Sequence, residues 1–127
     1  DLMVYLDTHV VVWMYQNDQT RFSKKVIEII NSGNDLFVSP IVILELEYLF
    51  EIGRLQQHGK IIIDYLVNRI NLNICKHPFS DIISQSLKLN WTRDPFDRII
   101  TSHALINKSI LITKDEVIHK NYEKAYW

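Results

Sequence analysis

Cysteine, glycine and proline are all scarce in this sequence, and each scarcity excludes a class of protein. The single cysteine, Cys75, cannot form an intramolecular disulfide and leaves no cysteine-based metal site. Three glycines and three prolines are too few for a fibrous or disordered chain. No apolar run approaches the roughly 18–20 residues of a membrane span, and the first residues, with an acid at Asp7, lack a signal-peptide pattern. We therefore expect a globular protein of the reducing cytoplasm, with no membrane contact.

The charge is also nearly balanced, which limits how the chain could recognise a partner. It has 14 Lys and Arg against 15 Asp and Glu, a formal net charge of −1. This excludes a nucleic-acid binder that works by bulk positive charge, but it permits a nucleic-acid enzyme with a local site. The 127 residues, which show no linker or repeat, predict one domain over residues 1–127.

Short apolar segments alternate along the chain with longer segments of helical period. We predict strands at Leu2–Leu6, Leu36–Val38, Leu72–Cys75, Ile110–Ile112 and Ala125–Trp127. We predict helices at His9–Gln16, Phe22–Asn31, Pro40–Ile52, Lys60–Ile70, Asp81–Leu89 and Pro95–Asn107, followed by a short turn in the tail. Thr8 and Ser80 are candidate helix caps, whereas the valine triplet at 10–12 could equally be a strand. Strands separated by helices predict an α/β fold with a mostly parallel sheet.

Two acids lie just beyond predicted strands. Asp7 follows the first strand, and Asp115 follows the buried strand Ile110–Ile112 after Thr113 and Lys114. In parallel sheets, sites form at the carboxyl ends of the strands. Both acids should therefore lie at the same edge of the sheet, although an acid in a loop after a strand is also a common structural feature.

A third acid, Glu45, lies on an otherwise apolar helical face. At ~100° per residue it shares that face with Ile41, Tyr48, Leu49 and Ile52. A buried carboxylate needs a partner such as a metal ion, unless Glu45 reaches water at the edge of the face. Glu47 points ~200° away and groups with Glu51 and Arg54, so we expect Glu47 and Glu51 to form a solvated stripe.

The segment Asp94-Pro95-Phe96-Asp97-Arg98 has the pattern of a helix start. Asp94 suits the cap, Pro95 the first helical position, and both acids gain from the helix dipole. This chemistry explains the segment without any function. It does not prevent Asp97, at the top of the helix, from also serving as a ligand.

The coincidence of Asp7, Glu45, Asp97 and Asp115 at positions that an α/β sheet can gather is the main functional signal. Clustered carboxylates repel one another unless a cation lies between them, and oxygen ligands favour Mg²⁺ or Mn²⁺. Such ions suit phosphodiester hydrolysis. The sequence has no glycine-rich phosphate loop, serine-nucleophile elbow or zinc-spaced histidines.

The remaining histidines and aromatic residues have a structural interpretation. We expect His103 to be a packed histidine, and we favour a structural role for His9 although it lies two residues after Asp7. We expect four aromatic residues to belong to the core or an interface rather than to stack on bases: Trp13, Tyr15, Phe96 and Trp127.

Taken in order, these segments resemble a PIN-domain ribonuclease, specifically a VapC-type toxin of a bacterial toxin–antitoxin pair. The resemblance lies in Tyr5-Leu6-Asp7-Thr8-His9 with Trp13, Val38-Ser39 leading to Glu45, Asp94-Pro95-Phe96-Asp97-Arg98, Leu111-Ile112-Thr113-Lys114-Asp115, and the closing Ala125-Tyr126-Trp127. It implies a three-layer α/β/α fold with a central parallel sheet of about five strands. It also implies a Mg²⁺- or Mn²⁺-dependent endoribonuclease that forms a homodimer and is inhibited by a cognate antitoxin.

The resemblance also implies roles for individual residues. Asp7, Glu45, Asp97 and Asp115 match the metal-binding acids, Asp94 matches an additional acid of the subgroup with this motif, and Thr8 and Thr113 match flanking hydroxyl positions. The second acid in Glu45-Leu46-Glu47 departs from the pattern. An antitoxin helix could contact the apolar runs Val10–Tyr15 or Ile61–Ile63, which could equally be core.

We therefore expect a metal-activated water to attack an RNA phosphodiester and leave a 5′-phosphate and a 3′-hydroxyl. Arg98 could contact a phosphate or pair with Asp94. Removing the five negative charges of the candidate acids from the net charge of −1 leaves +4, so the rest of the surface is mildly basic. Two alternatives remain: a non-catalytic regulatory or binding module, and another Mg²⁺-dependent phosphoryl-transfer domain, in which Asp7 would be a nucleophile and Glu45 would have no role.

Overall fold

A five-stranded parallel sheet forms the centre of the computed structural model, which describes residues 2–127. The strands are β1 (Met3–Leu6), β2 (Asp35–Val38), β3 (Asn73–Ile74), β4 (Ile110–Ile112) and β5 (Ala125–Tyr126). Their order is β3-β2-β1-β4-β5, and each neighbouring pair is parallel. The predicted α/β/α class is confirmed, and the sheet is entirely rather than mostly parallel.

Within residues 2–127, seven α-helices connect and flank the strands. They are α1 (Thr8–Tyr15), α2 (Lys24–Asn31), α3 (Ile41–Glu51), α4 (Gly59–Ile70), α5 (Phe79–Ser86), α6 (Pro95–Ile106) and α7 (Glu116–Asn121), with a 3₁₀ turn at Gln19–Arg21. The chain moves from β1 outward to β3 and then returns to β4 on the other side of β1. Because such crossovers are right-handed, this reversal places helices on both faces and leaves a crevice beyond the carboxyl ends of β1 and β4.

Burial on both faces explains the unbroken apolar runs of the central strands. Tyr5, Leu6, Leu111 and Ile112 are fully buried, as parallel strands covered by helices should be. The valine triplet at 10–12 is also buried, but it is helical. The sequence left open whether this triplet is helix or strand. Its residues pack into the core as part of α1.

Several helix starts differ from the prediction. Asp7, not Thr8, caps α1, because its side chain accepts a hydrogen bond from the Thr8 amide. Helix α5 begins at Phe79, directly after Pro78, and ends at Ser86 rather than Leu89. Ser80 therefore lies inside the first turn and does not cap the helix, since proline already presets the backbone before it.

The candidate partner surfaces are mostly core. Ile62 and Ile63 are buried, whereas Ile61 is half exposed. The aromatic residues Trp13, Tyr15, Phe96 and Trp127 are partly buried against the core, as predicted. Within residues 2–127, no helix combines the length and apolar character needed to cross a bilayer.

Candidate active site

Five acids line one cavity of about 350 Å³ at the carboxyl edge of the sheet. They are Asp7, Glu45, Asp94, Asp97 and Asp115. Asp7 directly follows β1, and Asp115 follows β4 by three residues. Helix α3 supplies Glu45, and the start of α6 supplies Asp94 and Asp97. The structure thus gathers every acid that the sequence analysis selected, from four separate parts of the chain.

Asp7 forms the buried base of the cavity, with 8% of its surface exposed. Its two carboxylate oxygens accept hydrogen bonds from the Thr8 amide at 2.8 Å and from Thr113 Oγ1 at 2.6 Å. Burial raises the pKa of Asp7, and these two hydrogen bonds oppose that rise because they favour the charged form. Thr113 thereby fixes the orientation of Asp7 across the β1–β4 boundary.

Glu45 reaches the cavity from α3 and is held there by a second hydroxyl. Its carboxylate accepts a hydrogen bond from Thr8 Oγ1. Burial raises the pKa of Glu45 to about 6; the Thr8 hydrogen bond opposes the rise, and the charges of Asp7 and Asp94 add to it. Thr8 and Thr113, expected to flank the site, are therefore the two hydroxyl donors that position Glu45 and Asp7.

Glu47 contacts the start of α4, which the sequence did not predict. Its oxygens accept a hydrogen bond from the Gly59 amide at 3.0 Å and contact His58 Nδ1 at 3.0 Å. The pKa of Glu47 is lowered, first by the His58 contact and then by the Gly59 hydrogen bond. The side chain of Glu47 is 34% exposed, so its position in a solvated stripe is as expected, and it also joins α3 to the start of α4. Glu51 is exposed as expected. Of the two neighbouring acids, only Glu45 lines the acidic cavity.

The two acids at the start of α6 divide their roles. Asp94 caps the helix, accepting hydrogen bonds from the amides of Phe96 at 2.9 Å and Asp97 at 3.4 Å. Asp97 is half-buried, and burial raises its pKa to about 8; the charges of Asp94, Asp7, Asp115 and Glu45 raise it further in that order. Asp97 thus interacts electrostatically with every other acid of the cavity, and a neighbouring cation would favour its charged form.

Asp115 combines a capping role with its place in the cavity. Its Oδ1 accepts a hydrogen bond from the Ile118 amide at 3.0 Å, which starts α7. Its own amide donates to Thr113 Oγ1 at 3.1 Å. Thr113 therefore connects Asp7 with Asp115.

Comparison with known proteins decides the family. The model of the PIN domain family matches residues 4–124. The chain belongs to this family. The family predicted from the sequence motifs is therefore confirmed, over nearly the whole chain. No curated protein sequence matches the chain significantly.

Solved structures with a similar fold come from toxin–antitoxin complexes. VapBC2 of Rickettsia felis, bound to a promoter DNA fragment, matches at 19% identity and a TM-score of 0.66, covering 94% of this chain and 92% of that one. VapBC-1 of nontypeable Haemophilus influenzae matches at 20% identity and a TM-score of 0.66, with coverages of 99% and 96%. A Klebsiella pneumoniae toxin–antitoxin complex matches at 16% identity and a TM-score of 0.62, with coverages of 98% and 96%. At these identities, the likeness shows a shared fold.

The donor set of this PIN domain suits a hydrated divalent ion. Its carboxylates offer only oxygen ligands, which Mg²⁺ and Mn²⁺ prefer, and a cation would offset the burial and repulsion that raise the pKa values of Glu45 and Asp97. Within residues 2–127, no three His, Cys, Asp or Glu side chains converge closely enough to ligate one ion directly. Thr8, Thr113 and the α7 amide already engage oxygens of Glu45, Asp7 and Asp115. Mg²⁺ commonly keeps several of its waters, and the cavity has room for them.

Three further side chains line the acidic cavity of the PIN domain: His9, Trp13 and Lys114. His9 is exposed there, so the structural role that we favoured for it is not what its position indicates. Two sequence signals could have found these residues. Lys114 lies directly between Thr113 and Asp115, and Trp13 follows His9 by one helical turn.

Arg98 does not form the ion pair with Asp94 that was one of its two expected contacts. Its Nε donates a hydrogen bond to the carbonyl of Thr92 at 2.8 Å. The ion pairs found within residues 2–127 do not include one between Arg98 and Asp94. Arg98 therefore stabilises the loop before α6 and does not line the cavity.

Proposed function

We propose that this PIN domain is a divalent-metal-dependent endoribonuclease and the toxin of a toxin–antitoxin pair. The observation that carries the proposal is the convergence of five carboxylates from distant segments in one cavity. The raised pKa values of Glu45 and Asp97 support it, because such a cluster is costly in the folded protein unless it binds a cation.

In this proposal, each acid has a defined role. Asp7, Asp97 and Asp115 would hold Mg²⁺ or Mn²⁺ with at least one of them acting through a metal-bound water, and Glu45 would complete the site or orient the attacking water. Such an ion, when bound, would acidify a water and neutralise charge on the phosphate. Thr8 and Thr113 keep the carboxylates of Glu45 and Asp7 in place through the hydrogen bonds described above.

Asp94 has a supporting role at the rim. Its cap orients the first turn of α6 and therefore the side chain of Asp97. Its charge also raises the pKa of Asp97 and Glu45, which increases the preference of the cluster for a cation. We propose that water would attack phosphorus, the P–O3′ bond would break and O3′ would leave with a proton, so the products would carry a 5′-phosphate and a 3′-hydroxyl.

The partners follow from the chains that share the fold. The three similar structures are described as VapBC or toxin–antitoxin complexes, which supports a cognate antitoxin as the inhibitor of this chain. We also propose that the chain forms a homodimer and acts on RNA in the cytoplasm of its host.

The decisive experiment uses purified, partner-free protein and a labelled RNA. We expect cleavage in Mg²⁺ or Mn²⁺, none in EDTA, and none by the Asp97→Asn variant. Glu51→Gln is the matched control, because Glu51 is exposed on α3 and does not line the cavity. End analysis should find 5′-phosphates. A wild-type protein that leaves RNA intact in both metals, or an Asp97→Asn variant with undiminished activity, refutes the proposal.

The helix caps formed by Asp94 and Asp115 favour one alternative, a non-catalytic binding module in which the acids are structural. Metal affinity separates the two. An enzyme should bind Mn²⁺ in a way that depends on Asp7 and Asp115 together, whereas a module with structural acids should not. Electron paramagnetic resonance of Mn²⁺ with the double variant Asp7→Asn/Asp115→Asn measures this directly.

A further inference from the structure

One wall of the acidic cavity consists of aromatic and basic side chains. His9 and Trp13 lie on α1, with ring centroids 6.1 Å apart, and Trp13 meets Trp127 edge-on at 5.7 Å. The ammonium group of Lys114 lies over the Trp127 ring, 5.8 Å from its centroid. The cavity thus combines five carboxylates with the ammonium group of Lys114 and with the rings of His9 and Trp13.

Lys114 is the one lysine or arginine that lines this cavity in the described part of the chain. None of the ion pairs found within residues 2–127 includes it, although five carboxylates line the same cavity. Nearby basic groups have other partners: Arg21 pairs with Asp18 at 3.3 Å, and Arg98 donates to Thr92. The side chain of Lys114 is therefore exposed, and its ammonium group contacts the ring of Trp127.

RNA carries one negative charge per nucleotide, so five carboxylates would repel an approaching strand. A divalent ion neutralises only two of these charges, and further phosphates of the strand need a fixed cation. A lysine ammonium on a flexible stem suits this task, because it can leave an aromatic face to meet a phosphate oxygen. Its place beside Asp115 puts it next to the acids proposed to hold the metal.

We propose that Lys114 binds a backbone phosphate adjacent to the scissile one and so seats the RNA strand over the acidic cavity. This inference rests on the proposed ribonuclease function. It assigns Lys114 to substrate binding, and the chemistry of the cleaved bond remains with the acids.

The test compares Lys114→Gln with Lys114→Arg and with Lys88→Gln. Lys88 is exposed and outside the cavity lining, so its variant removes the same charge elsewhere. The steady-state kinetics of a single-stranded RNA are measured at saturating Mn²⁺ over a range of KCl concentrations. We expect Lys114→Gln to raise KM about tenfold, as for loss of a charge-assisted hydrogen bond, with kcat within about twofold. The plot of log(1/KM) against log[KCl] should become shallower by about 0.7.

The controls and the wild type decide the result. Lys114→Arg should keep most of the affinity, and Lys88→Gln should match the wild type. The inference is overturned if Lys114→Gln keeps the wild-type KM and salt dependence, if it lowers kcat alone, or if a weakened Mn²⁺ affinity accounts for its higher KM. A wild-type protein without metal-dependent cleavage refutes the proposed function instead. In that case, fluorescence anisotropy of labelled RNA decides on Lys114: weaker, less salt-dependent binding by Lys114→Gln supports the contact, and equal binding overturns it.

Discussion

Replacing Asp97 should abolish activity and yet stabilise the metal-free protein. Burial and four like charges raise the pKa of Asp97 from its ordinary value of 3.8 to about 8 in the folded protein. The folded state therefore binds a proton more tightly than the unfolded chain does. Stability is lost as the pH rises from about 4 to about 8, because the unfolded chain releases that proton while the folded protein retains it.

The size of the effect follows from the shift. Each unit of difference between the folded and unfolded pKa corresponds to about 1.4 kcal/mol. The rise in the pKa of Asp97 therefore lowers the stability at pH 8 by at most about 5–6 kcal/mol. Asp97 is only half-buried, and solvent screening reduces this to about 1–2 kcal/mol. Within the described residues its carboxylate accepts no hydrogen bond, so Asp97→Asn removes the charge without breaking one.

Urea unfolding followed by tryptophan fluorescence, in EDTA, measures the gain. Asp97→Asn should raise the free energy of unfolding by about 1–2 kcal/mol at pH 8 and by much less at pH 5. Adding Mn²⁺ should stabilise the wild type and reduce or reverse the difference, because a ligand that binds only the folded state stabilises it. Glu51→Gln should show no such pH dependence. An equal gain at both pH values, or a loss of stability at pH 8, would refute the electrostatic reasoning.

Three further substitutions test the scaffold by the same unfolding measurement. Gly59→Ala should lower the free energy of unfolding by about 1–3 kcal/mol, because the alanine Cβ would lie 2.5 Å from the Ile43 carbonyl oxygen. An unchanged urea midpoint would contradict that close packing. Glu47→Ala should lower the urea midpoint, because it removes the acceptor of the Gly59 amide, and an unchanged midpoint would show that this contact is unimportant. His103→Leu should stabilise the protein, most at acidic pH, because neither buried ring nitrogen has a hydrogen-bond partner among residues 2–127. Burial also lowers the His103 pKa to about 4, so wild-type stability falls as the pH drops from 6.5 towards 4. A destabilised variant at pH 5 would contradict this.

Much of the fold could be predicted because the relevant signals are local. The apolar runs ending at Leu6 and Ile112 became adjacent central strands, and their order in a parallel sheet puts Asp7 and Asp115 at one edge. The helical period of α3 correctly directed Glu45 away from Glu47. These conclusions need only the repeat of the backbone and the alternation of strands and helices.

Contacts between distant segments were not accessible in the same way. The sequence shows Glu47 as one more polar residue on a helix, and only the docking of α3 against α4 brings it to the Gly59 amide. Likewise, Lys114 lies over Trp127 only because β5 pairs with β4 and so brings Trp127 close to the loop after β4. The amino-acid pattern by itself determined the α/β class and which acids could meet. Tertiary packing decided which side chains line the cavity. Whether a side chain meets another element depends on how helices and strands dock, and local periodicity does not encode that docking.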